Sequence, residues 1–338
     1  MEPDTSLPPV RFSVVVPAYN AADSIASCLN ALENQTMPAD TYEVIVVDDG
    51  SRDRTAEIVK AFSCTYAHQP NRGPAAARNR GAALARGDII LFTDADCIAQ
   101  ENWIEEMVRP FGDTRVTAVK GAYKTKQHSL AARFAQIEFE DRYDLLKRSV
   151  SIDMVDTYAA AFNRRVFLDM GGFDENFPVA NNEDTDLSYR LATAGHMMLF
   201  SPEACVYHTH PDTVIKYLRL KFGRGYWRMI VYRRYPEKAV KDSYTPKAVK
   251  IQTLLMALSF PVFLLSLAFP QLFFGVAVLW AGVCLSSVPF ALKALQKDFW
   301  AGIASPAIIF MRAVVFAAGS LLGVARCLTG GAVGAARP

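Results

Sequence analysis

The chain has 338 residues, with 36 Lys plus Arg against 34 Asp plus Glu, a formal net charge of +2 and 51% hydrophobic residues. These averages conceal two unlike parts: residues 251–292 carry no charge across 42 positions, whereas residues 1–250 hold 31 basic and 33 acidic side chains. An uncharged run of that length excludes an ordinary soluble domain, because about 20 residues already cross the hydrocarbon core, and the near-neutral remainder offers no basic face for nucleic acid.

The first 100 or so residues alternate strand and helix. FSVVV at 12–16 and EVIVV at 43–47 are β-branched runs bounded by turn residues, as strands buried on both faces read. Helical spacing follows at 22–33 and 54–62, then a helix over about 74–85 stopped by Gly87 and a strand over 88–93. Such alternation predicts an α/β fold with right-handed crossovers and an open, mostly parallel, Rossmann-like sheet, whose ligands sit at the carboxyl ends of the strands. The residues there are Pro17, Ala18, Tyr19 and Asn20, then Asp48, Asp49, Gly50 and Ser51, then Asp94, Ala95 and Asp96.

Further along, strands are expected at 116–120 and 158–162 and a long amphipathic helix at 130–147. A helix at 164–170 ends at Gly171 and Gly172, one at 184–194 closes at Gly195, and a last strand follows at 197–201. The six cysteines form no C-x-x-C pair and read as free thiols facing a reducing compartment. The opening MEPDTSLPPVRF has neither the basic nor the apolar region of a secretory signal, so the polar part is expected in the cytoplasm.

Asp94 and Asp96 stand two residues apart at the end of an apolar strand, where charge is costly unless compensated. Hard oxygen ligands in this pattern suit Mg²⁺ or Mn²⁺, whose shell is completed by substrate phosphates; the plain alternative is a solvated turn. Asp48 and Asp49 close another strand of the same sheet, and a nucleotide diphosphate with its metal accounts for carboxylates gathered on one edge. With no G-x-G-x-x-G after the first strand and no G-K-[ST] loop, the phosphates fall to metal and to side chains such as Arg78.

VVVPAYN, VVDDGS, NRGPAAARNRGAALARGD, FTDAD, GGFDE and NEDTDLSYRL, in that order, resemble the family 2 glycosyltransferases, whose catalytic domain has the GT-A fold. The resemblance covers roughly residues 11–210. It implies that Pro17, Ala18 and Tyr19 line the nucleotide base, that Asp49 bonds base or ribose, that Asp94 contacts ribose or sugar, and that Asp96 holds the metal. It also implies that Asp184, beside Glu183, is the general base of an inverting single displacement. Helix capping is the alternative role for this acidic pair, and the two are compatible. His208 and His210 in VYHTHPD are candidate metal ligands, or else local hydrogen-bonding residues.

The processive branch of the family carries Q-x-x-R-W after this helix; here the region reads KYLRLKFGRGYWRMIVYRRYP, which puts polymer synthesis in doubt. Its Lys and Arg interleaved with aromatics suit a helix at a bilayer surface, or a solvated basic helix. Residues 251–269 and 271–292 are each long enough to span, turning at Pro270, and lysines flank both ends of the pair, which places both ends inside. Residues 299–328 carry Arg312 near their middle, which must face protein, a head group or water; a third span, a re-entrant helix and an interfacial helix all fit. Gly319 and Gly323 form a weak helix-packing pattern that could also join copies of the chain.

The expected organisation is a GT-A domain at 1–212, interfacial helices at 213–248 and a membrane region at 249–330. The expected function is a multi-pass enzyme of the cytoplasmic membrane, its catalytic domain in the cytoplasm. It would be a metal-dependent, inverting, non-processive hexosyltransferase moving sugar from a UDP- or GDP-linked donor to a lipid-linked acceptor. Loops at 121–129 and 176–182 are expected to shape the selecting pocket. The rivals are a processive synthase with coupled translocation and a non-catalytic sugar-nucleotide-binding scaffold.

Overall fold

The computed structural model describes residues 10–177 and 182–329. The first nine residues of the MEPDTSLPPVRF stretch, positions 178–181 of the 176–182 loop and position 330 of the expected membrane region lie outside the described residues. The described chain forms two compact units, one from residues 10–124 and 149–209, the other from 125–148 and 210–329. A stretch inside the expected 1–212 domain, Thr125–Arg148, thus clusters with the later helices.

The first unit is built on β1 (Phe12–Ala18), α1 (Ile25–Glu33), β2 (Tyr42–Asp48), α2 (Thr55–Val59), β3 (Thr65–His68), α3 (Pro74–Leu84), β4 (Ile89–Phe92), β5 (Ile98–Ala99), α4 (Trp103–Val108) and β6 (Val116–Lys124). After α5 (Leu130–Leu146), which belongs to the other unit, come β7 (Ala160–Asn163), α6 (Arg164–Asp169), α7 (Glu183–Thr193) and β8 (Met197–Tyr207). The eight strands form one sheet in the order β3-β2-β1-β4-β7-β6-β8-β5.

The β3-β2-β1-β4 half is parallel, as the strand and helix alternation predicts. β1 is its centre: Val14, Val15 and Val16 have no exposed surface, which is why these strands read as unbroken apolar runs rather than alternating ones. Beyond β4 the sheet is mixed. β7 runs antiparallel to β4 and β6, β6 pairs parallel with β8, and β5 antiparallel with β8. Phe92 faces Ala160 across the β4–β7 pair, so the segment entering β7 lies beside the Asp94 turn.

Two sequence motifs meet behind that turn. Gly172, at φ +64°, has space only for hydrogen, since a Cβ there would lie 2.5 Å from Asn79 Oδ1. Asn79 thereby clamps the Phe173 backbone, accepting from its N–H at 2.9 Å and donating to its carbonyl at 2.8 Å. Phe173 then packs at 5.4 Å centroid separation on Phe92, which also touches Phe167 and Phe162.

The second unit holds α5, α8 (Val214–Arg234), α9 (Pro236–Val240), α10 (Lys247–Ser266), α11 (Phe273–Lys297) and α12 (Phe299–Leu328). Among the described residues α10, α11 with its leading turn, and α12 are long and apolar enough to cross a membrane, at mean hydropathy 1.8, 1.9 and 2.1. The turn between α10 and α11 is a 3-10 segment at Pro270–Leu272, where the hairpin was expected.

Arg312 of α12 faces protein. Its guanidinium pairs with Glu138 of α5 and Gln252 of α10, and Glu138 also accepts from Lys221 Nζ and Tyr217 Oη of α8, each at 2.8 Å. α8 approaches α12 so closely that a Cβ on Gly319 would sit 2.2 Å from the Phe222 carbonyl oxygen, and one on Gly323 would sit 2.4 Å from that of Tyr226. Because Glu138 neutralises two buried cations, Glu138→Ala should lower stability by about 3–5 kcal/mol, read as an early transition in thermal unfolding of the detergent-solubilised protein. Unchanged unfolding would show that the cluster carries no such weight.

Candidate active site

The carboxyl edge of the parallel half gathers the residues singled out in the sequence. β1 ends at Pro17 and the buried Ala18, whose carbonyl accepts the Asp49 N–H at 2.8 Å and locks the ends of β1 and β2 together. Tyr19 follows and is 50% exposed. Asp49 is buried. Its Oδ1 accepts from Gln69 Nε2 at 2.7 Å and the Arg72 N–H at 2.9 Å, and its Oδ2 accepts from the Gly73 N–H at 2.8 Å. The carboxylate therefore organises the loop leading into α3, with acceptor capacity left on Oδ2.

Arg78, on the buried face of α3, connects two carboxylates far apart in sequence. Nη2 donates to Asp94 Oδ1 at 2.7 Å and Nη1 to Glu183 Oε1 at 2.9 Å, while the guanidinium lies over the Phe173 ring at 5.8 Å. Burial works against its charge, but Asp94 and Glu183 outweigh it and hold Arg78 firmly protonated. The bridge brings the D-x-D turn and the E-D pair into one site.

Asp184, half-buried in the first turn of α7, accepts the Thr185 N–H at 2.6 Å. Its pKa is pushed up to about 7, chiefly by burial and then by the charges of Glu183 and Asp156, with the Thr185 N–H and Arg78 opposing. Nearby, Lys120 of β6 forms a fully buried ion pair with Asp156. Sequence reasoning passed over that pair; the signal available was a single Lys inside the apolar strand VTAVKGAY.

On the other side of Asp94, Asp96 Oδ2 lies 3.6 Å from His208 Nδ1 at the end of β8. Burial raises the Asp96 pKa, His208 lowers it, and Asp94 raises it again. The His208 ring packs against Tyr158 at 4.8 Å and Tyr123 at 5.7 Å. His210 is placed elsewhere: it belongs to the second unit, where its Nε2 meets Gln136 Oε1 at 3.1 Å and its ring stacks on Phe139. Cys97, not singled out from sequence, puts its Sγ 3.8 Å from His208 Nδ1 and 3.9 Å from Asp96 Oδ1. Asp96, Cys97 and His208 form a group whose ligand atoms all lie within 4.8 Å of one another, a donor set that fits a divalent ion.

The model of the family described as "Glycosyl transferase family 2" matches residues 13–171. Glycosyltransferase AglE of Haloferax volcanii is 33% identical over 228 residues, spanning 63% of this chain and 72% of that protein. The Bacillus subtilis protein described as probable glycosyltransferase YdaM is 32% identical over 223 residues, spanning 60% of this chain and 51% of its own length. Mannosyltransferase PcManGT from Pyrobaculum calidifontis, solved in complex with GDP-Man and Mn²⁺, superposes with a TM-score of 0.61 at 21% identity, covering 93% of this chain and 87% of that one. The chain belongs to the family 2 glycosyltransferases. Its first unit has the GT-A fold, and apolar helices long enough to span a membrane follow it.

The Lys120 and Asp156 pair generates a stability test. Lys120→Met removes the buried ammonium beside Asp156 and should cost about 3–5 kcal/mol in chemical unfolding, whereas Lys120→Met combined with Asp156→Leu should recover part of the loss. Equal losses in the single and double variants would mean that packing, not charge pairing, dominates there.

Proposed function

We propose that this protein is a membrane-anchored, inverting, non-processive glycosyltransferase that moves a hexosyl group from a UDP- or GDP-linked donor to a lipid-linked acceptor at the cytoplasmic face. One observation carries the reading: Arg78 joins Asp94, on the donor side, to Glu183, the neighbour of a carboxyl group whose pKa is suited to proton abstraction.

In this reading the base of the donor lies over Pro17, Ala18 and Tyr19, with Asp49 at the base or ribose and Asp94 at the ribose or sugar. Asp96 and His208 would hold Mg²⁺ or Mn²⁺, which would neutralise the negative charge that develops on the diphosphate. The acceptor oxygen attacks the anomeric carbon from the face opposite the diphosphate. The bond to the diphosphate breaks with its electron pair on the phosphate oxygen, and Asp184 takes the acceptor proton. Arg78 holds Asp94 and Glu183 in place for both partners of the reaction.

Support for the cytoplasmic side comes from Lys247 and Lys250 at the start of α10 and Lys293 and Lys297 at the end of α11, since lysines at both ends of a hairpin favour the cytoplasmic side. Support for a lipid acceptor is location, since a site tethered at a bilayer meets membrane-borne substrate at high effective concentration.

The test incubates purified protein and Mn²⁺ with a panel of nucleotide sugars, with and without membrane lipid extract, and measures nucleotide diphosphate release. Lipid-stimulated release from one donor is expected; release driven by a soluble sugar and indifferent to lipid removes the lipid acceptor. Since only deprotonated Asp184 can accept a proton, kcat/KM should rise with pH through a midpoint near about 7 and level off above it. Asp184→Asn should lower kcat by roughly 10²–10⁴ and abolish that limb. Full activity in Asp184→Asn would assign the base elsewhere.

A further inference from the structure

The thiol of Cys97 is oriented unlike that of a cysteine serving only to fill a core. Its residue is buried, yet the sulfur faces His208 Nδ1 at 3.8 Å and Asp96 Oδ1 at 3.9 Å. The same His208 nitrogen lies 3.6 Å from the other oxygen of Asp96. For comparison, two ligands about 2.0–2.3 Å from one shared ion at tetrahedral angles stand about 3.3–3.6 Å apart. With one oxygen of Asp96 as the ligand, the three donor atoms lie within 4.8 Å of one another, so closing onto an ion asks for side-chain adjustments of up to about an ångström. The imidazole is set by the rings of Tyr123 and Tyr158, while the Asp96 side chain remains 45% exposed, so the group is open on one side.

We propose that Cys97 turns the Asp96 and His208 pair into a site for a thiophilic divalent cation of the zinc class, with Asp96, Cys97 and His208 as the three protein ligands and a fourth position open to water or diphosphate. The inference rests on Asp96 and His208 being the metal ligands of the transferase. Two hard or borderline ligands alone would suit Mg²⁺ and Mn²⁺; a sulfur ligand moves the preference toward Zn²⁺ and Cd²⁺. On binding, a sulfur lone pair forms the sulfur–metal bond and the thiol proton leaves to buffer, one proton per ion. The consequence is that Zn²⁺ competes with Mn²⁺ for the place where the diphosphate binds.

The experiment uses the full-length protein in nanodiscs. Titration with Cd²⁺ should produce an ultraviolet sulfur-to-metal charge-transfer band in the wild type that is lost in Cys97→Ser and kept in Cys284→Ser, whose thiol is exposed. Free Mn²⁺, followed by electron paramagnetic resonance, should be released by added Zn²⁺, and Cys97→Ser should lower the ratio of Zn²⁺ to Mn²⁺ affinity by roughly tenfold or more. No band in the wild type, a band that survives Cys97→Ser, or an unchanged ratio each overturns the proposal. If Cys97→Ser does not fold, Cys97→Ala carries the same readout, and a band that survives it overturns the proposal. If Asp96→Asn abolishes Mn²⁺ binding while Cys97→Ser leaves the ratio unchanged, the sulfur role fails and the metal-dependent transferase stands. If the wild type shows the band on these ligands but never binds Mn²⁺, the zinc-class site stands and the Mn²⁺ reading fails.

Discussion

Everything at the strand edge depends on one buried guanidinium. Arg78 reaches both Asp94 and Glu183, and without it two carboxylates in a desolvated site would repel each other. Its planar fork matches two acceptors in a way a lysine point charge does not. The fork is aimed because Phe173 lies under it, and Phe173 is placed because Asn79, one residue along α3, holds its backbone. Four stretches of sequence, AAARNRG, TDAD, GGFDE and NEDTD, are thus one physical unit.

The same bridge separates the acids by environment. Asp94 and Glu183 each take a charged hydrogen bond from Arg78, whereas Asp184, one residue from Glu183, meets that cation only at longer range. Burial and two neighbouring carboxylates then leave Asp184 with a proton affinity near neutrality. Two carboxyl groups adjacent in sequence can therefore differ widely in proton affinity.

Much of this was legible in the sequence because strand ends and helix starts are local features. The apolar runs at 12–16, 43–47 and 88–93 mark where ligand-facing residues must follow, and the carboxylates were found there. The mixed half of the sheet was less legible, since β7 is only four residues long and its pairing direction is set by contacts across the chain. His208 and His210 looked equivalent in VYHTHPD; the structure gives one to Asp96 and the other to Gln136, a distinction made by partners remote in sequence. The partners of Cys97 and of Lys120 were hidden for the same reason, although a lone Lys in the apolar strand VTAVKGAY marked one of the two. The helix at 130–147 was read correctly as a helix, but nothing in its periodicity tells that Glu138 serves Arg312.

That last pairing bears on how the chain is made. Arg312 and Glu138 are 174 positions apart, so α5 has left the ribosome long before α12 is synthesised. A central Arg presented alone to lipid costs at least about 2.5 kcal/mol. In the finished protein α12 is also the least exposed of the three apolar helices, with 44% of its apolar window buried against 17% for each of the others. Its final seat is lined by segments synthesised before it, α5 and α8, so the partner that Arg312 needs is already part of the chain when α12 is made.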